Sequence, residues 1–182
     1  SAVLLGAGPS LDDFKFNVPD NSIYVGVNFI GNHRFFNQEL DYHRNIDYYF
    51  FGDRGRHMDP LNDFDVNIQK FGAGIVNGNS VKEHLTCDEI IEMGALPYEV
   101  DNSQNVKLHT DIESGILYGH SVSFAALHFL LFTGVTTIYL VGQDCSGTKC
   151  FNDVPILNHN GGGGNTYNDW PKYWLRIKSD IQ

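Results

Sequence analysis

The sequence predicts an α/β protein: one domain built on a mostly parallel β-sheet with helices on both faces. Three observations carry that expectation. Segments rich in β-branched and aromatic residues recur along the chain, helical windows lie between the later ones, and the segments end in glycine and polar residues. Strands that alternate with helices have to run parallel, and a parallel sheet is stable only when both faces are covered. With 182 residues and 42% hydrophobic content the chain is long enough for one well-buried core, and no Pro/Ser-rich linker divides it.

The first strand is the apolar run Ala2 to Leu5, followed at once by Gly6-Ala7-Gly8-Pro9-Ser10-Leu11-Asp12-Asp13. A buried strand that ends in a tight glycine turn with a hydroxyl behind it is the usual build of a phosphate or nucleotide cradle. A dinucleotide fingerprint would need a third glycine at the position of Leu11, and an acid at the end of the second strand where Asn28 stands. A P-loop would need Gly-Lys-Ser/Thr, which occurs nowhere in the chain. Both familiar nucleotide sites are therefore disfavoured, and a glycine turn that merely reverses the chain stays as the plain alternative.

Further strands are expected at Ser22 to Phe29, Ile46 to Phe51, Ala73 to Asn77 and Thr136 to Val141. Helices are expected over Val81 to Met93, closed by Gly94, and Gly119 to Phe132, closed by Gly134. The second helix is apolar on nearly all sides, as one wedged between a sheet and a further layer would be. Ahead of it, Glu113-Ser114-Gly115 and Gly119-His120-Ser121 offer small and hydroxyl residues that serve equally as an anion site or as simple caps.

In a parallel sheet, ligands gather beyond the carboxyl ends of the strands. Those exits read Gly6 to Ser10, Asn28, Gly52-Asp53-Arg54 and Gly142-Gln143-Asp144, so Asp53, Gly142 and Asp144 join the glycine turn as candidate ligand contacts. From Asn152 to Asn168 the chain holds His159, four consecutive glycines and five asparagines. Such a stretch builds no core, so 145–168 is expected to be a mobile, lid-like loop. The stretch Tyr167 to Lys178 reads as a short aromatic helix whose cations, Lys172, Arg176 and Lys178, either complement a phosphate or form a solvated face.

The formal net charge of −10 argues against a broad nucleic-acid surface, which needs a basic stripe to displace counterions. Three cysteines, Cys87, Cys145 and Cys150, make neither a disulfide framework nor a zinc ribbon, and a cytoplasmic setting is the plain reading. His120, Cys145, Cys150 and His159 follow no zinc spacing, so no metal site is assigned. The longest apolar run, Val122 to Phe132, is too short to span a bilayer. The start on Ser1, with no signal peptide ahead of the first strand, points to a trimmed chain or a gene fragment.

Four segments taken together carry a resemblance: Gly6-Ala7-Gly8-Pro9-Ser10-Leu11, Val25-Gly26-Val27-Asn28, Ser114-Gly115 before a buried helix, and Gly134 to Asp144. Their order resembles the bacterial sialyltransferases of glycosyltransferase family 42 and the related DUF115 group, which includes flagellin-glycosylation factors and archaeal pterin diphosphokinases. The resemblance implies a Rossmann-like single nucleotide-binding domain. It also implies a nucleotide-activated sugar as donor substrate, such as a CMP-linked nonulosonic acid, and a glycan or small molecule as acceptor.

On that resemblance Gly6, Gly8 and Ser10, with Ala7 between them, would approach the nucleotide and phosphate, and Asn28 the nucleoside. Ser114 and Gly115 would lie along the phosphate or sugar. His159 is the only histidine after Asp144, so by position it would be the general base, with helix-start amides, Tyr167 or Lys172 taking up the developing phosphate charge. Ala7 stands where the sialyltransferases carry a side-chain amide, and Asp111 where an arginine precedes their Ser-Gly, which leaves the donor open.

No resident cofactor is implied. The first alternative is a pterin diphosphokinase-like transferase, which would need Mg2+ on carboxylates such as Asp53, Asp144 or Asp153. The second is a non-catalytic nucleotide-binding or glycosylation-accessory protein.

Overall fold

The structure, a computed structural model, describes residues 1–6, 8–15, 17–28, 46–52, 68–75, 85–101, 112, 115–118, 121–144, 174–175 and 177–179. The chain runs β1 (Ala2–Leu5), a short 3-10 turn (Pro9–Leu11), β2 (Ile23–Val27), β3 (Tyr48–Phe51), β4 (Gln69–Ile75) and β5 (Leu85–Thr86). It continues through α1 (Cys87–Glu92), β6 (Leu96–Asp101), β7 (Ile116–Tyr118), α2 (Val122–Phe132) and β8 (Ile138–Val141). The strands form one sheet in the order β7-β6-β4-β3-β2-β1-β8, with β5 attached to β4. Every ladder among the described residues is parallel. The architecture is Rossmann-like: strand order grows outward from β1 in one direction, then returns to its other side with β8.

Alternation along the strands divides the core in two, because successive side chains point to opposite faces. Ala2, Leu4, Val25, Val27, Phe50, Tyr98 and Leu117 face α2, while Val3, Leu5, Tyr24, Tyr49, Phe51 and Val141 face α1 and the Leu11 turn. On the first face Phe50 stacks on Phe71 with ring centroids 4.7 Å apart, and Phe129 of α2 closes over both. α2 buries Phe124, Ala125, Ala126, Leu127, His128 and Leu130, and its outer side is covered by Trp174 and Ile177. The Phe124 and Trp174 rings meet edge to face at 4.8 Å. An all-round apolar helix is thus explained by a layer on each side of it.

The sheet is longer than the sequence pattern indicates. β4 begins at Gln69 rather than Ala73, and β6 and β7 fall where no strand is expected. β6 is hidden by Pro97 and by charged residues at its end. Among the described residues β7 pairs with it only from Glu99 onward, so beside Pro97 the described ladder is with β4 alone, the setting in which a strand proline is tolerated. The helix expected from Val81 starts only at Cys87, because Leu85–Thr86 pairs with Gly74–Ile75 of β4 and Thr86 then caps the helix. In that capping box the Glu89 N–H donates to Thr86 Oγ1 at 3.3 Å, and the Thr86 N–H donates to Glu89 Oε2 at 2.8 Å. Residues 81–84 lie outside the described ones. No helix among the described residues is long and apolar enough to cross a membrane.

Candidate functional site

The strand order reverses between β1 and β8, so their carboxyl ends flank the switch point where such sheets bind ligands. The two ends are tied together by backbone hydrogen bonds, from Gly6 N–H to the Val141 carbonyl and from Gly8 N–H to the Gly142 carbonyl, each 2.8 Å. Approach this close is open only to glycine. A Cβ on Gly8 would lie 2.1 Å from Asp144 Oδ2 and 2.7 Å from the Gly142 oxygen, and Gly142 itself has φ of 67°.

Asp144 closes the arrangement. Its Oδ2 accepts from the Ser10 N–H at 3.1 Å and from the Ser10 hydroxyl at 2.7 Å, while Ser10 Oγ accepts from the Gly142 N–H at 3.2 Å. The carboxylate therefore holds the start of the 3-10 turn, the place an external anion would otherwise take. An anionic ligand meets a negative charge here as well as backbone amides.

Asn28 follows β2 directly and lies one strand from β1. Its backbone is left-handed, with φ of 50°, and its carbonyl receives the hydroxyl of Tyr49. The Asn28 side-chain oxygen is buried and has no hydrogen-bond partner among the described residues.

Tyr49 is buried, and desolvation raises its hydroxyl well above the usual tyrosine range. The folded state thus favours the neutral phenol. The resulting stability is fully present below the unfolded value near 10 and is lost as pH rises beyond it. Tyr49→Phe should cost about 1 kcal/mol near neutral pH by removing the bond to Asn28. It should also flatten the alkaline fall in the urea midpoint above about pH 10, and an unchanged alkaline slope would contradict this account.

Gly6, Gly8, Ser10, Asn28, Gly142 and Asp144 are thus brought to one edge of the sheet. Gly115 is not among them. It opens β7, five strands from β1 in the sheet order, so at about 4.8 Å per strand it lies roughly 24 Å across the sheet. Ala7, Asp53, Asp111, Ser114, Asp153, His159, Tyr167 and Lys172 lie outside the described residues, as does the whole of 145–168. At the start of α2, Ser121 acts as a cap, its hydroxyl accepting from the Ser123 N–H at 3.2 Å. Among the described residues no group of three or more His, Cys, Asp or Glu side chains is placed to hold a metal ion. Tyr49 was not legible as a site residue, because in Tyr48-Tyr49-Phe50-Phe51 it reads as one more core aromatic.

The fold and this edge together define a Rossmann-like α/β protein whose β1/β8 switch point is lined by glycines and locked by a Ser10–Asp144 clasp. No family model, no curated protein and no solved structure matches the chain.

Proposed function

We propose that the chain is a nucleotide-sugar-dependent glycosyltransferase of the cytoplasm, binding its donor across the β1/β8 switch point. The observation that carries this reading is the convergence of Gly6, Gly8, Ser10, Asn28 and Gly142 on the one reversal of strand order. The glycines bring the carboxyl ends of β1 and β8 together, and the Asn28 side-chain oxygen, which has no hydrogen-bond partner among the described residues, is the acceptor proposed for the exocyclic amine of a nucleobase. In the transfer, the acceptor oxygen bonds to the anomeric carbon, the anomeric C–O bond breaks with its electron pair leaving on the nucleotide phosphate, and the acceptor proton passes to a base. His159 is the residue proposed for that base.

Thermal shift with CMP, UDP, GDP, ATP and free pterin tests the reading directly, since a ligand that binds only the folded chain raises its melting temperature. Stabilisation by CMP supports it; no response to any nucleotide sinks it.

Asp144 separates this reading from a diphosphokinase-like transferase, which would use the same carboxylate to hold Mg2+. If no metal intervenes, Asp144→Asn keeps an acceptor oxygen for Ser10 and removes the charge. CMP should then bind about fivefold tighter, as roughly 1 kcal/mol of repulsion at about 4 Å in a water-like medium is relieved. Asp144→Ala should bind more weakly than wild type, because Ser10 is released from the clasp. Loss of binding in Asp144→Asn, together with a Mg2+ requirement in wild type, would favour the diphosphokinase.

A further inference from the structure

β8 ends the strand order, and the described residues leave the face it turns toward α2 incompletely covered. Leu140 is 48% exposed and Leu175 68% exposed, and both belong to the lining of one cavity. That cavity, of about 870 Å³, is walled by Leu127 and Leu131 of α2, Ile138 and Leu140 of β8, and Trp174 and Leu175. At the carboxyl end of β8 the lining turns polar, with Ser10, Gln143 and Asp144. Ser10 and Asp144 are also the clasp of the switch point, so the cavity opens onto the proposed donor crevice.

An apolar body with a few polar groups at one end is the general build of a small-molecule site, and this volume falls in the range of such sites. The two charged residues in its lining, Asp144 and Lys178, have opposite signs, so the lining carries no net formal charge and suits a neutral head group. We propose that this cavity binds a neutral amphiphile, its apolar chain lying between α2 and β8 and its hydroxyl-bearing head at Ser10 and Asp144. The role of that amphiphile as the sugar acceptor rests on the transferase reading; its binding does not.

Octyl β-D-glucoside below its micelle concentration is the probe, read by the emission of Trp174 in the full chain carrying Trp170→Phe, which leaves a single indole. A saturable blue shift is expected with octyl glucoside and none with glucose. Affinity should fall roughly two- to fourfold for each methylene removed from the alkyl chain. Leu140→Glu and Leu175→Glu alter half-exposed and exposed positions, so the fold should persist by circular dichroism while affinity drops about tenfold.

Equal responses to glucose and octyl glucoside, or wild-type affinity in both variants, would overturn the proposal. So would a wild-type dimer in sedimentation that Leu140→Glu converts to monomer, which assigns the face to a second copy. Glucoside binding in a chain that no nucleotide stabilises would leave the amphiphile site standing and remove only its role as acceptor site.

Discussion

Gly142→Ala should destabilise the protein by roughly 3 kcal/mol or more, a large share of the total stability of a small domain. A left-handed backbone costs about 1–2 kcal/mol for a residue with a Cβ, and Gly142 has φ of 67°. The new methyl would also lie 2.2 Å from the Gly6 oxygen and 2.8 Å from the Gly6 carbonyl carbon, both backbone atoms. Neither chain can retreat. Gly6 is held by its N–H to the Val141 carbonyl and Gly8 by its N–H to the Gly142 carbonyl, each at 2.8 Å. Relief of the clash therefore opens the ladder between β1 and β8, at a cost of about 1–3 kcal/mol for an overpacked interior.

Gly134→Ala is the matched control. Its φ is 79° and a Cβ there meets nothing within 4 Å, so it should lose only about 1 kcal/mol, the left-handed penalty alone. Urea denaturation of the two variants measures the difference. Equal midpoints would mean that the β1/β8 contact carries no strain-sensitive packing. On the proposed nucleotide-binding reading, Gly142→Ala should also lose nucleotide stabilisation, because the switch point opens with the ladder.

On the proposed transferase reading, His159→Ala should lower turnover by about 10²- to 10⁴-fold while leaving nucleotide binding near that of wild type. The reasoning is chemical. A sugar bound to phosphate already has a good leaving group, so the demanding requirement is removal of the acceptor proton as the new C–O bond forms. An imidazole suits that purpose as a residue type, because its ordinary titration range lies near neutrality, and His159 is the one histidine after Asp144. Turnover within twofold of wild type would place the base elsewhere. Nucleotide binding without any turnover, unaffected by the substitution, would favour a binding or accessory protein.

How much of the molecule is legible in the sequence depends on the scale at which signals act. β1, β2 and β3 are continuous apolar runs flanked by turn residues, and such runs declare themselves, because a strand buried on both faces has no polar positions. β6 escapes, since Pro97 and its charged end argue against a strand when read alone; among the described residues Pro97 pairs with β4 on one flank, where a proline is tolerated. The first residue of α1 escapes too. The pattern from Val81 reads as one helix, but pairing with β4 claims Leu85 and Thr86 as strand.

The site shows the same division. Gly6, Gly8 and Ser10 stand out because a tight glycine turn after a buried strand is a local signal. Asp144 is visible only as a polar residue at a strand exit, 134 positions from Ser10, and nothing local shows that its carboxylate closes on that turn. The cavity beside β8 is less legible still, for Leu127 falls in an apolar helix, Ile138 in a strand and Trp174 in a short aromatic helix, with nothing local to join them.

By itself, then, the sequence determined an α/β protein with a mostly parallel sheet and a tight glycine turn after its first strand. These follow from side-chain periodicity and from the conformational freedom of glycine, both of which act over a few residues. Only the tertiary structure decided that the sheet reverses between β1 and β8, that Asp144 clasps Ser10, and that Gly115 lies far across the sheet from both. Strand order and side-chain closure are set by contacts between distant parts of the chain, which exist only once the sheet has assembled.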